Sequence, residues 1–176
     1  MDTRRALLDA LAADDGPVSG PELAESLGVS RAAVWKAVEG LREDGFAVES
    51  ASEGYVAPED PGYSGPGIAF GLDAPYSVEY RDRVGSTNER ARELAGEGAA
   101  DVAVVADEQT GSRGRLDREW VAPSGGGWGS VLTRPDVPTA RAPLFTPAAA
   151  VATTDARRQA CVHGALKWRN HVLGWG

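Results

Sequence analysis

Two segments of this 176-residue chain carry side chains whose types and spacing could do chemistry. The first, Val84-Gly85-Ser86-Thr87-Asn88-Glu89, closes an alternating run on a glycine and opens a helix-like run with hydroxyl and amide side chains. Free N–H groups at such a helix start, with small polar side chains beside them, can bind an anionic or polar ligand edge. Ser86 and Glu89 also have capping-box spacing, so a well-capped helix accounts for the same residues. The second segment is Gln109-Thr110-Gly111-Ser112-Arg113-Gly114-Arg115-Leu116-Asp117-Arg118-Glu119-Trp120, with Ala122-Pro123-Ser124-Gly125-Gly126-Gly127-Trp128 after it. Arg113 and Arg115 flank Gly114 and offer planar forks of donors that suit phosphate oxygens. Closure of that segment would exclude water from a reactive phosphate ester or mixed anhydride. Taken alone, the segment has a lesser alternative reading, as a solvated basic turn or a nucleic-acid contact.

Other chemistries are excluded by what is missing. No Gly-Lys-Ser/Thr occurs, so there is no P-loop. The one cysteine, Cys161, and the two histidines, His163 and His171, lie outside both segments and read as surface or packing residues, not as a nucleophile with its base. One cysteine also excludes a disulfide framework and a cysteine-rich metal site, and no metal-ligand set is assigned.

The elements that must position these segments follow from periodicity. Residues 77–84 alternate Val78, Tyr80 and Val84 with Glu79, Arg81 and Arg83, the pattern of a half-buried strand, and a helix is predicted over 87–96. Residues 101–106 and 128–134 read as further strands, Thr146-Pro147 as the start of a helix to about 161, and 165–168 as one more strand. The order is α+β, not strictly alternating.

Upstream, residues 4–13 place Leu7, Leu8 and Leu11 at helical spacing. Ser19-Gly20-Pro21-Glu22 is a capping box opening a second helix that ends near Gly28, and Ser30 caps a third, which Gly45 stops. Phe46-Ala47-Val48 and Gly54-Tyr55-Val56 read as two short strands, which makes residues 1–57 a winged helix-turn-helix. Its second helix would turn Arg31, Ala32, Trp35 and Lys36 toward a DNA major groove. Residues 58–67 have Pro or Gly at six of ten positions and read as a linker that propagates neither helix nor strand, leaving 68–176 as a second domain.

Charge is distributed unevenly. The net charge is -8, with 18 Lys+Arg against 26 Asp+Glu, and only Lys36 and Lys167 are lysines. Residues 1–60 hold five basic and thirteen acidic side chains, whereas 61–176 hold thirteen of each. Such an acidic, lysine-poor surface suits concentrated salt, and a halophilic source is expected. No apolar run reaches the ~18–20 residues of a membrane span, and the N-terminus lacks the apolar stretch of a signal peptide, so a cytoplasmic protein without membrane contact is expected.

Taken in order, a winged helix-turn-helix, Gly85-Ser86-Thr87-Asn88, a Gln-Thr-x-x-Arg-Gly-Arg…Trp loop followed by Ser-Gly-Gly, and Lys167-Trp168-x-Asn170 resemble the bifunctional biotin protein ligase and biotin repressor family. The resemblance implies an incomplete biotin/lipoate ligase-type mixed-sheet catalytic domain after the winged helix. It implies a reaction in which biotin and ATP, with Mg²⁺, give biotinyl-5'-AMP, and biotin then passes to a lysine of a biotin carboxyl carrier protein. Ser86, Thr87 and Asn88 would line the biotin ureido pocket. Gln109, Arg113, Gly114 and Arg115 would hold biotin and the adenylate, with Arg113 and Arg115 catalytic. Trp120 would pack at the adenine end, and Asn170 would match the Asn of the family's Lys-Trp-Pro-Asn-Asp. Operator DNA and a homodimer are the further partners implied.

Departures from the family pattern set expectations of their own. Ser112 stands where the family's loop has its first glycine, which predicts poorer retention of the adenylate. Arg169 and His171 replace the Pro and Asp of Lys-Trp-Pro-Asn-Asp, which bears on ATP or metal positioning. The family continues past the position of Gly176 with a lysine, further strands and a small β-barrel. A chain stopping here is expected to have an open sheet edge and to be weakly stable or to associate. A remnant acting as a biotin-responsive DNA-binding regulator is the alternative to a working ligase.

Overall fold

A computed structural model describes residues 3–111, 121–168 and 170–174. Three helices come first: α1 (Thr3–Ala12), α2 (Gly20–Leu27) and α3 (Arg31–Glu43). Their ends are set locally. Ser19 accepts from the Glu22 N–H at 3.3 Å, Ser30 accepts from the Ala33 N–H at 3.2 Å, and Gly28 takes the left-handed conformation (φ 64°) that closes α2. Their apolar faces meet in a core of Leu7, Leu8, Leu11, Leu23, Val34 and Val38 with neighbours.

The wing is shifted from its sequence reading. Its strands are β1 (Glu49–Ala51) and β2 (Gly54–Val56), antiparallel with Glu49 opposite Val56, and Val18 pairs with Tyr55 on the other side. Phe46 and Val48 alternate because both are buried against the helices, not because they pair with a strand. The Val48 carbonyl accepts from Arg42 Nε at 2.9 Å. The apolar pattern marked burial, and the ladder was formed by the polar residues after it.

The proline- and glycine-rich stretch also differs from expectation. It contains a one-turn helix, α4 (Gly65–Ala69), capped by Ser64, whose Oγ accepts from the Gly67 N–H at 3.1 Å. Pro66 sits in the first turn, where its missing N–H costs nothing. Ala69 and Phe70 pack onto the helical core, with the Phe70 ring 5.2 Å from Phe46 between centroids. Arg5 donates to the carbonyls of Ala69 (3.3 Å) and Leu72 (2.8 Å), satisfying groups that the end of so short a helix leaves open.

A three-stranded mixed sheet follows, in the order β3-β4-β5. β3 (Ser77–Val84) and β4 (Val102–Gln109) are parallel, with α5 (Thr87–Gly96) as the crossover, and β5 (Trp128–Leu132) runs antiparallel to β4. Ala91 and Leu94 of α5 pack on Val102 and Val104. The compact units of the chain are Met1–Arg134 and Pro135–Gly176, so the winged helix and this sheet share one unit and residues 58–67 do not divide it.

The second unit holds a 3-10 turn (Thr139–Leu144), α6 (Phe145–Gln159) and a hairpin of β6 (Gly164–Lys167) with β7 (His171–Gly174). β7 was not foreseen from the sequence. Among the described residues, no helix is long and apolar enough to cross a membrane.

Candidate functional site

The junction between β3 and α5 is where the first chemical segment lies, and its polar groups are organised by β4 and β5. Thr87 is 3% exposed. Its N–H donates to Gln109 Oε1 at 2.8 Å, its hydroxyl donates to the same oxygen at 3.0 Å, and Ser130 Oγ lies 3.0 Å from the Thr87 hydroxyl. One glutamine thus satisfies a first-turn N–H of α5 and fixes the Thr87 rotamer, while Nε2 of Gln109 has no partner among the described residues. Ser86 caps α5, accepting from the Glu89 N–H at 3.4 Å, and Asn88 is exposed. The capping reading of this segment holds, and around the cap gather hydroxyl and amide groups able to donate and accept.

The two ends of the arginine-bearing segment are anchored at this junction. On the near side, the N–H groups of Thr110 and Gly111 donate to the carbonyls of Val84 (2.9 Å) and Gly85 (2.8 Å). A Cβ on Gly111 would stand 2.9 Å from the Gly85 carbonyl oxygen, so only glycine allows that approach. On the far side, the Gln109 N–H donates to the Ala122 carbonyl at 3.0 Å. The Asp107 carboxylate accepts from Ser124 Oγ and from the Gly125 N–H, the latter at 2.9 Å. The Ser124 bond first, then the Gly125 bond, hold the Asp107 carboxyl below the usual carboxylate range. Trp128 Nε1 donates to the Pro123 carbonyl at 2.9 Å, and Gly126 lies flat against its indole.

Beside the junction, Glu79 of β3 receives Arg90 of α5 in a paired contact, Nε to Oε1 at 2.7 Å and Nη2 to Oε2 at 3.1 Å. The Arg90 bond is the main reason the Glu79 carboxyl sits below its ordinary value, with Arg81 adding to it. This pair ties α5 to the sheet and so holds the start of the helix over β4.

The structure thus brings Ser86, Thr87, Asn88 and Gln109 together. Arg113, Gly114, Arg115 and Trp120 lie outside the described residues, as do Ser112 and Arg169. Asn170 is exposed in the turn between β6 and β7, in the other compact unit. On α3, Arg31, Ala32, Trp35 and Lys36 are all exposed, with Trp35 at 59%. Three residues the sequence reading did not single out complete the site: Ser130, Asp107 and Glu79. Ser130 could have been found from strand parity, since it lies between Trp128 and Leu132 on the face toward α5; Asp107 carries no signal until its partners are placed.

A groove of about 1050 Å³ lies elsewhere, lined by Arg5, Tyr63, Tyr76, Tyr80 and Asp82 among others, and it contains none of the Thr87 network. An open groove of this kind is defined by shape, whereas the junction is defined by convergent polar groups, and the latter is the better guide to ligand chemistry. Among the described residues no cluster of His, Cys, Asp and Glu could hold a metal ion.

Fold and site together define a class: a winged helix-turn-helix followed by a mixed sheet that presents a polar strand-to-helix junction. Comparison with known proteins makes the class specific. A family model described as "HTH domain" matches residues 3–56. The bifunctional ligase/repressor BirA of Bacillus subtilis (strain 168) is 39% identical over 164 residues, covering 89% of this chain and 50% of that protein. The biotin--[acetyl-CoA-carboxylase] ligase of Paracoccus denitrificans is 39% identical over 94 residues, 52% of this chain and 39% of that protein. Among solved structures, the biotin protein ligase from Leishmania major in complex with biotin superposes with a TM-score of 0.49 at 25% identity, over 57% of this chain and 48% of that one. The chain belongs to the bifunctional biotin ligase/repressor family. It spans about half the length of the curated relatives it matches.

Proposed function

We propose that this chain is the winged-helix and first catalytic portion of a biotin protein ligase that doubles as a DNA-binding repressor. The observation that carries the reading is the Thr87–Gln109–Ser130 network at the β3–α5 junction, in a chain whose relatives are named ligase/repressors. A ureido ring presents one acceptor and two donors, and the hydroxyl and amide groups of Ser86, Thr87, Asn88 and Gln109 supply both kinds within one small patch. Burial of Thr87 and its two partners fixes that patch in advance of binding, which lowers the ordering cost when biotin arrives.

The chemistry proposed is attack by the biotin carboxylate on the α-phosphorus of ATP, giving biotinyl-5'-AMP and pyrophosphate, followed by attack of a lysine amine of a biotin carboxyl carrier protein on the biotinyl carbonyl, which forms the amide and releases AMP. The substrate is its own nucleophile, so no cysteine or serine is needed. Arg113 and Arg115 are assigned to the developing negative charge on the phosphate, and Trp120 and Asn170 to the adenylate. Mg²⁺ is assigned to the triphosphate as its counter-ion. On α3, Arg31, Ala32, Trp35 and Lys36 form the face assigned to operator DNA, and the protein is assigned to the cytoplasm.

The test is biotin-dependent ATP–pyrophosphate exchange by the purified chain at low and high KCl. Exchange that requires biotin and disappears in Arg115→Ala supports the ligase assignment. A folded chain with no exchange at either salt overturns it and leaves biotin-responsive DNA binding as the function to measure.

A further inference from the structure

The winged helix has five Lys and Arg residues: on α1, Arg4 pairs with Asp44 and Arg5 with Asp9 and the carbonyls of Ala69 and Leu72, and the other three, Arg31, Lys36 and Arg42, lie on α3. Arg42 is the last Lys or Arg before Arg81, and between them stand Glu43, Asp44, Glu49, Glu53, Glu59, Asp60, Asp73 and Glu79. The wing itself, β1, the Ser52-Glu53 turn and β2, exposes Glu49 and Glu53 and has no basic residue. Arg42, the cation nearest to it in sequence, is spent inside the domain: Nε donates to the Val48 carbonyl (2.9 Å), Nη1 to Glu39 (2.7 Å) and Nη2 to Ser50 Oγ (2.8 Å). Those bonds pin the base of the wing to α3 and take three of the five guanidinium N–H groups, so the fork is oriented by the protein and not by a phosphate. Arg31 and Lys36, by contrast, are exposed and make no hydrogen bond or ion pair among the described residues, with the exposed Trp35 between them.

We infer that this domain meets duplex DNA through α3 alone, with the wing excluded from the DNA backbone by its own carboxylates. The inference rests on the DNA-binding reading above and makes it more specific. A helix-turn-helix whose wing also gripped phosphates would release many counterions on binding, and its affinity would fall steeply with salt. With two uncommitted cations per winged helix, log K should fall against log[KCl] with a slope of about -2, a loss of about 100-fold per decade of salt. The contact to base edges falls to the Trp35 face of α3, where an indole and the Ala32 methyl can pack on thymine methyl groups. Binding of that kind keeps most of its sequence preference in a concentrated electrolyte.

The probe is a 30-base-pair duplex selected on the wild-type chain from a randomised library, read by fluorescence anisotropy between 0.1 and 1 M KCl. The expected wild-type slope is about -2 per winged helix, and Arg31→Ala and Lys36→Ala should each weaken binding and flatten the slope by about one. Glu49→Gln with Glu53→Gln should tighten binding severalfold at 0.1 M KCl and leave it unchanged at 1 M, where the Debye length is about 3 Å. Both glutamates are exposed and have no partner among the described residues, so the variant is expected to fold, and its circular dichroism checks that. A slope steeper than about -5, or weaker binding by the glutamine variant, would show the wing on the DNA and overturn the inference. A library from which no duplex is recovered removes the DNA reading itself, a failure distinct from recovery of a duplex with the wrong salt or wing dependence.

Discussion

The helical half of the first unit and the sheet that follows are held together by different physics. Among the described residues, ten of the winged helix, including Phe46, Leu7 and Leu23 at 0% exposure, share one buried cluster with Ala69 of α4, whereas the cluster between α5 and the sheet has four. What the sheet lacks in apolar burial it has in directed bonds: Thr87 to Gln109 and Ser130, Glu79 to Arg90, Asp107 to Ser124 and Gly125. Apolar burial is non-directional and tolerates small shifts, whereas a hydrogen-bonded junction holds particular atoms in particular places. A domain that must only present a helix face can be built the first way, and a site that must recognise a small polar ligand needs the second.

The sharpest way to break that contrast is to truncate one large side chain in each region. Phe46→Ala removes a fully buried ring that touches Phe70 and should cost about 3–5 kcal/mol, enough to unfold the winged helix in mild urea. Leu94→Ala in the sheet cluster should cost about 2–3 kcal/mol, because the smaller cluster leaves more room to relax. Urea titrations of both variants decide it; equal costs would mean that the sheet is as tightly packed as the helices.

The next largest effect tests the polar side of the comparison. Thr87→Val keeps the shape and the N–H to Gln109 but strands Ser130 Oγ and one lone pair of Gln109. A cost of about 1–3 kcal/mol is expected, together with loss of biotin binding measured by calorimetry. A valine variant that binds biotin normally would show that Thr87 is only a helix-start residue and would weaken the ligand role assigned to this junction.

How much of this was legible in the sequence follows the same division. Caps and helical stripes were readable because they are local: Ser19, Ser30 and Ser86 announce their helices by spacing, and α5 starts and stops where predicted. The β3–α5 junction was readable as a place, but the partners that give it chemistry come from strands 22 and 43 residues away and have no local signature. The misreadings have different causes. Phe46-Ala47-Val48 alternates because the helices bury it, a tertiary effect with no local mark, whereas α4 starts on a local signal, the Ser64 cap with a first-turn proline, that the Pro and Gly content of the stretch obscured.

A smaller effect separates the two anchors of the Gly125 turn. The folded Asp107 carboxyl lies below its ordinary 3.8, so the clasp contributes fully above that value and is lost as pH falls through the lower folded value. Protection of the Gly125 amide from hydrogen exchange should therefore persist at pH 5 and fade only in stronger acid. In Asp107→Asn the protection should be weaker at pH 5 and above, converge with the wild type in strong acid, and lose its acid dependence. An acid limb retained by the asparagine variant would assign it to another group, and Glu79, also depressed, is the one to test next.

The smallest expected effect concerns the charge imbalance of the winged helix. Asp15 and Glu59 are exposed, with no partner among the described residues, so Asp15→Asn with Glu59→Gln probes only the diffuse repulsion within the acidic region. A stabilisation below about 0.5 kcal/mol is expected in 0.1 M KCl and none at 1 M. Thr87→Val should cost the same at both salts, because a buried hydrogen bond between neutral groups is not screened. The same pair of salt conditions thus reads the two kinds of construction directly. Should the junction variant prove salt-dependent and the charge variant not, the division drawn between an acidic, apolar-cored winged helix and a hydrogen-bonded strand-to-helix junction would be wrong.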